Sequence, residues 1–152
     1  MKIMLSVLMF VLLSSCGESP LFNHELEENF NVGSGSVFSQ NAEFKFAKTG
    51  YSFAVDWTEA PHIGQSSFQL KIWKTQVGTI NGPFEDPSEQ LHVFLWMPSM
   101  GHGSSPVTLT KIAPGEYDVT NVYFIMGGKW QVKFQLISNG KVVDETVLNY
   151  TI

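Results

Sequence analysis

The strongest constraint on this chain is a period of two. In residues 67–73, SFQLKIW, the apolar Phe68, Leu70 and Ile72 alternate with Gln69 and Lys71. In residues 129–137, KWQVKFQLI, Trp130, Val132, Phe134 and Leu136 alternate with Gln131, Lys133 and Gln135. A helix, with its period of 3.6, cannot gather either set on one face, whereas a strand sends successive side chains to opposite faces. Both runs therefore read as strands with one face in a core and one in water, the pattern of antiparallel sheets.

Less regular runs of the same kind occur at 43–48, 51–57, 91–97, 107–112, 117–124 and 142–152. Gly50, Pro83, Pro87, Pro114-Gly115, Gly127-Gly128 and Asn139-Gly140 punctuate them, and Asn-Gly between the last two runs is a strong signal for a two-residue hairpin. About seven short strands at this spacing predict an all-β fold, an immunoglobulin-like antiparallel β-sandwich over residues 43–152. Tyr117, two residues after the Pro-Gly turn, looks like the tyrosine corner of such sandwiches. Trp57, His62 and Trp73 are candidates for an exposed apolar surface.

The first residues, MKIMLSVLMFVLLSSCGESP, carry one lysine and then an apolar run too short to span a bilayer, the proportions of a secretory signal. Leu13-Ser14-Ser15-Cys16 resembles the bacterial lipobox, in which the leader is cut before a cysteine that is diacylated. This predicts a signal peptide over 1–15 and a lipidated Cys16 as the first mature residue, holding the protein to a membrane. Residues 16–42 are polar and acidic, with Gly33 and Gly35 interrupting any helical period, and read as a tether. Gly17 stands where many inner-membrane lipoproteins have aspartate. The expected location is thus the cell envelope, on the periplasmic face of the outer membrane.

Cys16 is the one cysteine, so no intramolecular disulfide forms and the domain rests on its core. All nine basic residues are lysines, and the net charge of −5 becomes −6 once the leader's lysine is removed. An acidic chain without arginine is a poor partner for nucleic acid, where phosphate neutralisation dominates affinity.

Chemistry concentrates in FLWMPSMGHGSSP, residues 94–106. Three of the six methionines lie in the leader, and two of the remaining three, Met97 and Met100, share this loop with His102. Thioether sulfur is a soft, neutral ligand suited to Cu(I), and imidazole accepts both Cu(I) and Cu(II). Pro98 and Gly101 break the strand, so a turn brings Met100 and His102 together. The third methionine, Met126, precedes a double glycine, where backbones approach closely. If the two loops share one end of the sandwich, Met97, Met100, His102 and Met126 converge on a metal. His92 is a weaker additional ligand, because on a regular strand it faces away from Met97.

The run WMPSMGHGSSPVTLTKIAPGEYDVTNVYFIMGGKWQVKFQL, residues 96–136, resembles the YtkA-like family of small exported domains and the related FixH-like proteins. The shared order is Met97-Pro98-Ser99-Met100 with Gly101-His102, then Pro114-Gly115-Glu116-Tyr117, then Met126-Gly127-Gly128-Lys129-Trp130. The resemblance implies an immunoglobulin-like sandwich and a role in metal handling, especially copper delivery or oxidase assembly. Where FixH-like proteins have a transmembrane helix, this chain has a lipobox.

Other motifs fail. Residues 101–105, GHGSS, put histidine where a nucleophile elbow needs serine. Gly33-Ser34-Gly35 lacks the third glycine of a dinucleotide loop. Glu85, Asp86 and Glu89 lack the ligand spacing of a calcium loop. The expectation is a non-enzymatic domain that holds copper and exchanges it with a donor or acceptor protein. The alternative is a structural or protein-interaction module whose methionines form an adaptable contact surface.

Overall fold

The computed structural model describes residues 43–75 and 83–152. The leader, Cys16 and the tether through residue 42 lie outside the described residues. Nine strands follow in order: β1 (Glu43–Lys45), β2 (Tyr51–Trp57), β3 (Gly64–Lys74), β4 (Gln90–Met97), β5 (His102–Gly103), β6 (Thr108–Ala113), β7 (Glu116–Phe124), β8 (Lys129–Ser138) and β9 (Lys141–Thr151). They form two antiparallel sheets, ordered β1-β2-β3-β7-β6 and β5-β4-β8-β9. With β1 and β5 set aside, the other seven, lettered A to G in chain order, give A-B-E-D against C-F-G, the constant-type immunoglobulin arrangement. Nine strands stand where about seven were expected: β1 lies within the run at 43–48, and β5, with two residues, is too short for alternation to carry a signal.

The alternation is realised as burial. Phe68, Leu70 and Ile72 of β3 and Trp130, Val132, Phe134 and Leu136 of β8 are all buried. Phe53 and Phe68 of the first sheet pack on Phe134 of the second, with ring centroids 4.8 and 6.0 Å apart. Each such ring contributes about 2–3 kcal/mol by leaving water, and these rings hold the sheets face to face. Asn139 and Gly140 take φ of 51° and 72°, the two left-handed residues that a tight hairpin of this hand requires.

At one end of the sandwich β2, β4, β7 and β9 finish while β3 and β8 begin. There Trp57 Nε1 donates across the sheets to the Tyr150 hydroxyl at 3.1 Å, and burial pushes that hydroxyl's pKa up to about 12. Trp57 also packs on Phe68, at 4.7 Å between centroids, so it is a core neighbour and not part of an exposed apolar surface. Trp73 departs further from expectation. It is buried at 1% exposure, bridged to Phe84, because the chain after residue 83 lies over the edge of β3.

Tyr117 does bond to a distant loop, but it is not the tyrosine corner. That residue opens strand F, whereas Tyr117 opens β7, the E strand. Its hydroxyl donates to Asp86 Oδ1 at 2.6 Å, the Gly115 N–H donates to the same oxygen at 3.1 Å, and Lys111 Nζ bonds Oδ2. The Lys111 and Tyr117 hydrogen bonds lower the Asp86 pKa from 3.8 to about 2, while burial and then the Asp86 carboxylate raise that of Tyr117. Because the folded value is the lower one, Asp86 contributes stability that is complete above about pH 4 and fades as pH falls toward 2. In Lys111→Met, the Asp86 carboxyl followed by carbon NMR is expected to titrate closer to the ordinary carboxylate value. An unmoved midpoint would remove Lys111 as the cause.

Candidate metal centre

β4 alternates strictly, with Val93, Leu95 and Met97 inward and His92, Phe94 and Trp96 outward. Pro98 has no N–H to continue the ladder, so residues Pro98–Met100 coil into one 3-10 turn. Gly101 closes it at φ 65°, its N–H donating to Met97 O at 3.0 Å. The chain then reverses, and β5 returns along β4 with Met97 opposite His102 and Trp96 opposite Gly103. Gly103 is required, since a Cβ there would lie 2.7 Å from Leu95 O.

Directly opposed residues of an antiparallel pair share a face, so His102 stands beside Met97 at the rim of the sandwich. The His102 Nδ1 lies 3.0 Å from Gly103 O. A carbonyl only accepts, so Nδ1 carries the proton and Nε2 keeps a bare lone pair, the tautomer a metal ligand needs.

The second loop leaves β7 after Phe124. Trp130 Nε1 donates to Met126 O at 2.9 Å, and Gly128 exchanges two hydrogen bonds with Ile152, at 2.9 and 3.0 Å. A Cβ on Gly128 would collide with Met97 Cε, so the methionine's methyl fills the space that the glycine leaves. Ser104 Oγ, just past β5, donates to Tyr123 O. The two loops therefore meet at one end and flank the start of β8.

The four residues are not equivalent there. Met100 and Met126 are 55% and 39% exposed, His102 is half-buried, and Met97, at 5%, belongs to the core with only its end reaching the second loop. His92 is not brought to this end. It stacks on Phe94 on the outer face, 5.3 Å between centroids, with Nδ1 3.3 Å from Gln135 Oε1. Among the described residues no group of three His, Cys, Asp or Glu side chains is placed to hold a metal. The donors at this rim are thus thioethers and imidazole, a set that matches soft Cu(I) better than hard cations.

A sequence model of YtkA-like proteins matches residues 46–135. The chain belongs to the YtkA-like family. The match begins well upstream of the methionine loop, so β2 and β3 are part of the family domain as well. Comparison with curated proteins and with solved structures returns no significant match.

Sequence reasoning set His62 aside as surface. Within this YtkA-like domain it directly precedes Ile63, whose Cδ1 lies 3.8 Å from where a Gly127 Cβ would stand, so His62 flanks the same end. Only the pairing of β3 with β7 reveals this, and no local motif announces it.

Proposed function

We propose that this YtkA-like domain carries copper as cargo, chiefly Cu(I), on the rim formed by Met100, His102 and Met126 with Met97 beneath. The observation that carries the reading is the presence of two exposed thioethers on two loops that meet where Met97 packs against Gly128, together with an imidazole whose Nδ1 is held by Gly103 O. Neutral sulfur ligands bind Cu(I) without an oxidisable thiol, which suits an exported chain whose only cysteine is committed to lipid. Exposed donors favour exchange, so the ion passes to or from a partner protein. The lipobox-like leader and Cys16 put this carrier in the cell envelope on a membrane anchor.

The test is Cu(I) titration of the full chain against a chromophoric chelator, with Met100→Leu/Met126→Leu beside the wild type. Tight one-to-one binding that weakens at least about 100-fold in the variant is expected, with unchanged thermal stability because both side chains are exposed. Binding that is absent, or that survives the double substitution, sinks the copper reading.

One observation favours a second reading. Ile63, Tyr123 and Ile125, 61%, 42% and 45% exposed, share this end with the two methionines, an apolar rim suited to a docking partner. Leucine at 100 and 126 would preserve docking while removing sulfur, so the same variant separates the two.

A further inference from the structure

We infer that Met100 and Met126 form a paired oxidation site, at which hydrogen peroxide converts both thioethers to sulfoxides while Met97 is spared; that the conversion releases copper rests on the reading above. The three methionines among the described residues differ sharply in access. Met100, on the 3-10 turn, is 55% exposed and Met126 is 39% exposed, whereas Met97 is 5% exposed and belongs to the core. Its methyl fills the space beside Gly128 that a Cβ would otherwise claim. An oxidant in solvent therefore meets two of the three side chains directly, and meets Met97 only when this end of the sandwich opens.

No other sulfur competes for the oxidant. Cys16 is the one cysteine, so residues 17–152 contain no thiol, the group that would otherwise react first. In each conversion the thioether sulfur attacks one peroxide oxygen, the O–O bond breaks and an S–O bond forms. The departing hydroxide takes the proton from the newly attached oxygen and leaves as water. Sulfur loses two electrons and the peroxide gains them. A sulfoxide presents a polar oxygen where a soft thioether lone pair stood, a poor exchange for Cu(I). Of the four donors, only His102 and the buried Met97 then remain.

The placement also protects the fold. At positions 100 and 126 the new S–O dipole is hydrated, whereas at Met97 it would be buried without a partner and would destabilise the core.

The test treats the metal-free full chain with hydrogen peroxide and follows residues 97, 100 and 126 separately by peptide mass spectrometry. Cu(I) affinity by chelator competition and folding by circular dichroism are measured before and after. Met100 and Met126 are expected to convert at least about 10-fold faster than Met97, a difference that vanishes in concentrated urea because the fold imposes it. Cu(I) affinity should fall at least about 100-fold, as in Met100→Leu/Met126→Leu, with the fold intact. It should return after treatment with the two methionine sulfoxide reductases, one for each epimer, which no other oxidative lesion would allow.

Conversion of Met97 as fast as the other two in the folded chain, or failure of either Met100 or Met126 to convert, overturns the site. Selective conversion that leaves Cu(I) affinity unchanged, while the leucine variant loses it, overturns the release and leaves the rim standing. A wild type that binds no Cu(I) before treatment overturns the copper reading and the release together, whereas the rates at the three methionines judge the oxidation site by themselves.

Discussion

Asp144→Ala is expected to lower unfolding stability by roughly 4 kcal/mol at neutral pH, a loss of about 15 °C in Tm for a domain of this size. Asp144 is an acid at 2% exposure on β9, and it lives there because donors surround it. Its Oδ2 accepts from the Lys48 and Thr49 N–H groups, each at 2.7 Å, and from Thr49 Oγ1 at 3.0 Å; Oδ1 accepts from Glu145 N at 3.0 Å. The first three clamp the turn between β1 and β2 onto the opposite sheet, so alanine would strand two backbone donors of the turn as well as remove a carboxylate. Asparagine keeps one oxygen but turns an amide donor toward donors, and should lose about half as much.

The pH dependence distinguishes this from simple loss of packing. Burial alone would raise the Asp144 pKa, but the hydrogen bonds from Thr49, Lys48 and Glu145 outweigh it and the net shift is downward from 3.8. A depressed folded pKa means that the ionised group's contribution is complete above about pH 4 and is lost as pH falls through the folded value. Urea unfolding of wild type and Asp144→Ala at pH 7 and again near pH 3 should therefore show the gap between them narrowing in acid. A gap that stays constant would assign the effect to packing.

Alternation with period two located eight of the nine strands, because burial on one face of a strand is written directly in residue type. β5 escaped because His102-Gly103 is too short to alternate. What made it a strand is the left-handed Gly101, which reverses the chain so that Met97 and His102 face each other. Trp73 was misjudged for a related reason: its cover comes from Phe84, across residues whose path no periodicity describes. In the candidate site, residue chemistry singled out the methionines and His102, and parity along β4 separated His92 from Met97. Whether the two loops share an end is a matter of topology, decided by β4 lying beside β8 and by the Met97 contact with Gly128. His62 and Ile63 reach the same end through the pairing of β3 with β7, which no local motif announces.

A second large effect is expected at Gly115, and a matched control isolates its cause. Gly115 and Gly140 both occupy the left-handed region, at φ 67° and 72°. A side chain at either pays the same backbone strain, about 1 kcal/mol. Around Gly140 nothing lies within 4 Å of an added Cβ, so Gly140→Ala should cost about that strain and no more. At Gly115 the added carbon would meet Ile72 O at 2.5 Å and Glu85 O at 2.8 Å, with Glu85 N also in collision. None of these can rotate away, since all are backbone. Two of them, Glu85 N and Ile72 O, are joined by a hydrogen bond at 3.0 Å, and Ile72 N donates to Gly115 O at 2.8 Å; together these bonds dock the chain after residue 83 onto β3 and the turn before β7. Relieving the clash would part those bonds and pull Asp86 from Gly115 and Tyr117, so Gly115→Ala should cost about 4 kcal/mol, several times the control. Chemical denaturation of the two variants side by side measures it. Equal losses would mean that the chain after residue 83 yields freely, and that its contacts with Gly115 contribute little to holding the sandwich closed.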